Sequence, residues 1–140
     1  NGTFAETFVL HGGTQSMPFS YNNAASPHYS ETERSWTNPQ DWTAEGVDTL
    51  CLFVRGLEEN GDGSAYVGLE DNTGKLAVVT SADATLVTTE AWTQVNIPLA
   101  YFGVNAAKIT KMCLGIGDRD NPTPGGAGKV YIDDIRVIKQ

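Results

Sequence analysis

The sequence predicts an all-β fold, a two-sheet antiparallel β-sandwich or jelly roll, formed by residues 1–140 as one domain. Three observations predict it. Apolar residues at helical spacing are hard to find. Thr, Val, Ile, Phe and Tyr, which suit a pleated half-buried surface, are frequent. Gly, Asn, Asp and Pro break the chain roughly every 8–12 residues, the spacing of short strands joined by turns.

Strands are expected near Glu6–Leu10, Gln15–Tyr21, Thr32–Thr37, Thr49–Arg55, Ala65–Asp71, Lys75–Thr80, Trp92–Leu99, Ile109–Gly117 and Lys129–Ile138. Several alternate cleanly. Met17, Phe19 and Tyr21 share a face opposite Ser16, Ser20 and Asn22. Leu50, Leu52 and Val54 oppose Cys51, Phe53 and Arg55, and Val67 and Leu69 oppose Tyr66, Gly68 and Glu70. A period of two with one apolar face describes a sheet packed on one side, and strands of this kind make two layers. Asn60-Gly61 and Asp62-Gly63 supply turn chemistry for a hairpin, and Asn72-Thr73-Gly74 does so one strand later. The long polar segments Asn22–Ser30 and Asp118–Gly128 read as loops, the usual place for ligand contacts on a rigid sandwich. Ala100–Ala107 has room for one short helical turn.

At 140 residues the chain can bury roughly 70% of its unfolded surface, enough for a core without metals or cross-links. Nine basic against 17 acidic side chains give a net charge of −8. With no Lys/Arg cluster, nucleic acid and anionic lipid are not expected partners. The longest unbroken apolar run, Leu50–Val54, is far short of the roughly 20 residues of a membrane span. Cys51 and Cys113 are too few and too far apart for a zinc ribbon or a redox CxxC site. Two readings stay open for them, a disulfide of an exported protein or two buried free thiols.

Enzyme chemistry is sparse. His11 and His28 are the only histidines and lie in no zinc-hydrolase spacing. No GxSxG is present. Glu31/Glu33 and Glu58/Glu59 are paired acids, but a glycosidase needs two carboxylates across a cleft about 5 to 10 Å apart, and a solvated face is the simpler reading. Asp133-Asp134 is different because it interrupts the last strand, Val130–Val137. Neighbours on a strand face opposite sides, so one aspartate is expected to point inward and to need a partner. Calcium would supply one, with Glu6 and the carbonyls around His11 and Gly13 completing the ligands. Hydrogen bonding to backbone N–H or to Arg136 is the alternative.

The C-terminal half, Trp92–Leu99 followed by Ile109–Gly117 and Val130–Val137 with its central Asp-Asp, resembles the closing strands of galactose-binding-like jelly rolls, the fold of many carbohydrate-binding modules. Val9–Met17 is similar to the G-x-x-S-hydrophobic strand opening of such modules. Gln40–Thr43 and Asn121–Gly126 resemble uncharacterised modules of large extracellular bacterial proteins. The resemblance implies a non-catalytic carbohydrate-binding module of a secreted protein, targeting a linked catalytic domain to a polysaccharide. It also implies a structural calcium, held by an acid near the N terminus and an aspartate of the last strand, which match Glu6 and Asp133.

Sugar recognition needs aromatic rings for apolar C–H faces and carboxylate, amide or guanidinium groups for hydroxyls. Two regions offer both. Strand parity puts Phe53, Arg55, Tyr66 and Glu70 on one surface if their strands are neighbours. The loops carry Tyr21, Tyr29, Asp118 and Arg119, with His28 and Asn22 beside them. Trp92 is expected to plug the core and Trp42 to cap one end of the sandwich, while Trp36 is open between core and ligand platform. The other function class compatible with this sequence is a structural or adhesive extracellular β-sandwich without a sugar ligand.

Overall fold

The structure, a computed structural model, describes residues 17–24, 26–61, 63–83, 85–119 and 123–139. Eight strands run through them: β1 (Met17–Asn22), β2 (Tyr29–Gln40), β3 (Thr49–Arg55), β4 (Ala65–Asp71), β5 (Leu76–Thr80), β6 (Thr93–Pro98), β7 (Ile109–Gly117) and β8 (Ala127–Ile138). They form two four-stranded sheets, ordered β1-β8-β3-β6 and β2-β7-β4-β5, with every pairing antiparallel. Apart from the β4–β5 hairpin, consecutive strands alternate between the sheets, which is jelly-roll topology. The predicted sandwich is present, and Thr49–Arg55, Ala65–Asp71 and Ile109–Gly117 are strands with the predicted bounds. The predicted strand Glu6–Leu10 lies outside the described residues.

The alternating apolar positions meet between the layers. Leu50, Leu52 and Val54 of β3 with Val130, Ile132 and Ile135 of β8 face Val67 and Leu69 of β4 and Met112, Leu114 and Ile116 of β7. Trp42 is fully buried at the end of this core, as expected of a cap. Trp92 is not in it. It is 44% exposed and lies just before β6, whose inward positions are taken by Val95 and Ile97. Tyr21 is also corrected. It is 3% exposed within the core, and its hydroxyl donates to the Gly61 carbonyl, so it is not a ligand-contacting loop residue.

Other expectations change for topological reasons. β3 and β4 lie in different sheets, so Asn60-Gly61 serves a crossover and not a hairpin. Asn60 instead ties this connection to the 86–88 turn and to β8, donating to the Val87 and Lys129 carbonyls and accepting from Lys129 N–H. Cys51 sits on the outward side of one sheet and Cys113 on the outward side of the other. Both are buried and free, with the thickness of the sandwich between them, which removes the disulfide reading. At Asp133-Asp134 the last strand carries a β-bulge, with Asp134 at φ 54° and the register against β3 shifted. The extra residue lets Ile132 and Ile135 both face inward, so neither aspartate is driven into the core. Asp133 is half-buried, and its Oδ1 accepts from Asp134 N–H at 2.7 Å.

The β4–β5 turn follows the sequence reading, with Gly74 at φ 83°. It is anchored by Asp71, whose Oδ1 accepts from Thr73 N–H and Oγ1–H and whose Oδ2 accepts from Asn105 N–H. These bonds favour the charged form and hold the Asp71 carboxyl at about 2, below its ordinary 3.8. A depressed pKa stabilises the fold above the unfolded value, and that stability is lost as pH falls through the folded value. The thermal midpoint is therefore expected to fall between pH 4 and 2, and Asp71→Asn should flatten that decline. An acid limb identical to wild type in the variant would contradict the anchor.

Candidate functional site

The outward face of the sheet β2-β7-β4-β5 is built by strand parity into cross-strand rows. Glu31 on β2, Gly115 on β7, Tyr66 on β4 and Thr80 on β5 form one row. Glu33, Cys113, Gly68 and Val78 form the next, and Ser35, Lys111, Glu70 and Leu76 the third. The two glycines lie side by side for a steric reason. A Cβ on Gly115 would run into the Tyr66 ring, and one on Gly68 would come within 2.5 Å of the Cys113 sulfur. The Tyr66 ring thus lies across Gly115, and the thiol fills the space over Gly68.

One end of the face holds a connected polar–aromatic cluster. Tyr66 Oη donates to Glu31 Oε1 at 2.7 Å. Arg119 Nε lies 3.4 Å from the same oxygen, and its guanidinium stands 5.9 Å from the centre of the Tyr29 ring. Gly117, the last residue of β7 and the partner of Tyr29, has φ 119°, a glycine conformation that ends the strand two residues before Arg119. The neighbouring loop is pinned from below by buried Asn23, which donates to the Ile116 carbonyl and accepts from Ser30 Oγ–H. At the far end Lys111 Nζ lies between Glu33 and Glu70, at 3.8 and 3.9 Å. Burial and the Glu31 carboxylate push the Tyr66 phenol up, and burial pushes the Cys113 thiol up to about 12, so both are neutral and protonated at physiological pH. The carboxylate of Glu31 and the guanidinium of Arg119 are the fixed charges of the cluster.

The predicted site residues divide. Tyr29, Tyr66, Glu70 and Arg119 come together on this face, and exposed Asp118 precedes Arg119 on its loop. Phe53 and Arg55 do not join them. β3 belongs to the other sheet, so these two point out of the opposite side, where Arg55 pairs in register with Tyr131 and Phe53 with Asp133. Tyr66 is on the outward face as its parity predicts, but it is 3% exposed and acts as a floor that holds Glu31. Trp36 leaves the ligand set. Its ring meets Trp42 edge-on with centroids 6.1 Å apart and packs against the core, while Arg34 stands over it. Sequence reasoning missed Glu31, Glu33, Lys111 and Cys113. The i, i+2 run Tyr29, Glu31, Glu33 was the available signal, since it puts all three side chains on one face.

The expected calcium ligands Glu6, His11 and Gly13 lie outside the described residues. Among the described residues no three His, Cys, Asp or Glu side chains gather in a way that could hold a metal ion.

No protein-family model matches the chain. No curated protein matches it either. Solved structures do. An exo-β-agarase superposes over 89% of this chain with a TM-score of 0.69 at 11% identity, and the chain spans only 20% of that enzyme. A family 11 carbohydrate-binding module from Clostridium thermocellum, in complex with a β-1,3-1,4-mixed-linked tetrasaccharide, covers 94% of this chain with a TM-score of 0.59 at 13% identity. This chain covers 80% of that module. The family 30 module of the cellulosomal cellulase Cel9D-Cel44B of Clostridium thermocellum covers 96% with a TM-score of 0.61 at 17% identity, and 80% of it is covered in turn. At these identities the likeness defines the fold, and this chain has the jelly-roll fold that carbohydrate-binding modules of families 11 and 30 share.

Proposed function

We propose that this chain is a non-catalytic carbohydrate-binding module and that it takes an uncharged glycan on the outward face of β2-β7-β4-β5. The observation that carries the reading is the joined cluster of Tyr29, Arg119 and Glu31 over the floor made by the Tyr66 ring. Tyr29 offers a ring for a sugar's C–H face, and Arg119 offers donors for its hydroxyls. Glu33, Lys111 and Glu70 continue the polar surface along the strands. Rows on one face repeat every two residues, or roughly 7 Å, so the three rows are long enough for a short oligosaccharide. The jelly-roll neighbours support the reading, one of them holding a mixed-linked tetrasaccharide.

Charge sets the substrate class. Three carboxylates and two cations meet on this face, within a chain of net charge −8. A uronate or sulfate would face net repulsion, whereas hydroxyls are served by either sign. The module acts by targeting: tethering a catalytic domain beside its substrate raises the local concentration. The linked catalytic domain and a secreted location belong to this same reading. So does the structural calcium, with Asp133 and the N-terminal ligands Glu6, His11 and Gly13 as its holders. Calcium would supply a hard cation for carboxylate and carbonyl oxygens.

Affinity electrophoresis tests the proposal. Soluble neutral glucans or agarose are expected to retard the domain, with alginate and carrageenan having no effect and no new reducing ends appearing. The same gels and melts with EDTA report the ion, expected to lower Tm and leave the pattern of bound glycans unchanged. Retardation by the anionic glycans alone would contradict the charge argument, and retardation by no glycan would favour the adhesive alternative.

A further inference from the structure

Protein interiors normally pack to the density of organic crystals. One margin of this sandwich does not. A cavity of about 290 Å³ lies between the sheets. Its walls are the inner faces of both layers, Leu52, Val54 and Val130 from one and Val67, Leu114 and Ile116 from the other. It opens where β5 and β6, the end strands of their sheets, face each other, and reaches inward as far as Phe19 of β1. Both layers carry small side chains there, with Ala65 and Val79 opposing Val95, and each is only half-buried. The opposite margin carries Tyr21 on β1 and Trp36 on β2, so aromatic rings fill what the small residues leave open. Among the described residues no charged side chain lines the cavity. Its rim is polar and neutral, with Thr80, Ser81, Asn96 and the exposed Tyr101.

We propose that this cavity binds a small neutral amphiphile, with a short alkyl chain between the sheets and a hydroxyl-bearing head at the Thr80–Ser81–Asn96–Tyr101 rim. Size supports the alkyl chain. An apolar cavity of roughly 150 Å³ stays dry and takes one benzene, and this one is about twice that volume. Charge selects the head. Asp83 follows the lining residues Ser81 and Ala82 in sequence, the chain is strongly acidic and, among the described residues, no cationic side chain lines the cavity, so an anionic head meets repulsion without a pairing cation. The alkyl wall lies on the inner side of the sheets, and the cavity meets the glycan face only at Tyr66, Gly115 and Thr80, the edge of the first outward row.

The test uses 1-octanol and octanoate on the whole domain. Ligand-observed NMR is expected to show saturable binding of 1-octanol, with octanoate at least tenfold weaker. At ten times Kd, 1-octanol should raise Tm by roughly 5 °C. Ala65→Leu and Val79→Phe, two independent ways of filling the cavity, should each weaken 1-octanol binding at least tenfold. Both should keep the β-sheet circular dichroism and the wild-type glycan retardation. Lack of saturable 1-octanol binding to the wild type, binding that survives a folded filling variant, or octanoate binding as tight as 1-octanol overturns the proposal. None of these outcomes alters the glycan result, so the two assignments fail separately.

Discussion

Arg119→Ala is expected to weaken glycan binding by on the order of tenfold to a hundredfold while leaving the fold intact. A hydrogen bond from a charged donor contributes about 1.5–3 kcal/mol net, and each 1.4 kcal/mol is roughly a factor of ten. Arg119 also holds Glu31 at 3.4 Å and stands over Tyr29, so its loss releases an acid and an aromatic ring together. It lies on the loop after β7 and packs no part of the core, which is why stability should change little. Arg119→Lys should not rescue, because an ammonium keeps the charge but loses the planar guanidinium that reaches both Glu31 and the Tyr29 face. Tyr66→Phe isolates the neighbouring contribution. It keeps the ring across Gly115 and removes only the bond to Glu31, so a smaller loss of severalfold is expected. Affinity electrophoresis or calorimetry against the best-retarding glycan, with circular dichroism as the folding control, reads all three. Wild-type affinity in a folded Arg119→Ala protein would move the site off this face.

The strands were legible in the sequence because their signal is local. Leu50, Leu52 and Val54 alternate with Cys51, Phe53 and Arg55, and that period needs no knowledge of any partner. Pairing is not local. Parity says which side of its own sheet a residue faces and is silent on which sheet that is. For this reason Phe53 and Arg55 were expected beside Tyr66 and Glu70, although a jelly roll sends β3 and β4 to opposite layers. Parity also fails where a strand is irregular. The bulge at Asp134 changes the phase of β8 and spares both aspartates from the core, and no spacing in Val130–Val137 announces it. Trp92 illustrates a third limit, since a large apolar residue just ahead of an edge strand can stay on the surface. The candidate site was half legible. Tyr29, Tyr66 and Arg119 were found from chemical type, while Glu31 and Glu33 were set aside as solvated acids when their spacing from Tyr29 placed them on the same face.

Gly56→Ala is expected to be the most damaging single methyl added at a glycine of the described residues outside the site, destabilising the protein by about 3 kcal/mol or more. Gly56 is buried directly after β3. A Cβ there would overlap the Val87 carbonyl and lie 2.8 Å from the Leu86 oxygen, so the obstruction is main chain and cannot rotate away. The same backbone is bonded to it, with Gly56 N–H donating to the Thr89 carbonyl and Leu57 N–H to that of Val87. Making room means lifting the turn Leu86–Thr88, which would draw buried Leu86 and Val87 out of the core. For 140 residues that cost corresponds to a Tm lower by roughly 10 °C. Gly115→Ala is the informative comparison. Its Cβ meets the Tyr66 ring and comes within 2.7 Å of the Ser30 carbonyl, so it displaces the floor that holds Glu31. It should therefore lose glycan affinity out of proportion to its stability, whereas Gly56→Ala, while still folded, should bind as wild type. Urea melts and affinity electrophoresis on the two proteins separate the effects. A Gly56→Ala protein within 1 kcal/mol of wild type would mean that the 86–88 turn does not close over the end of β3.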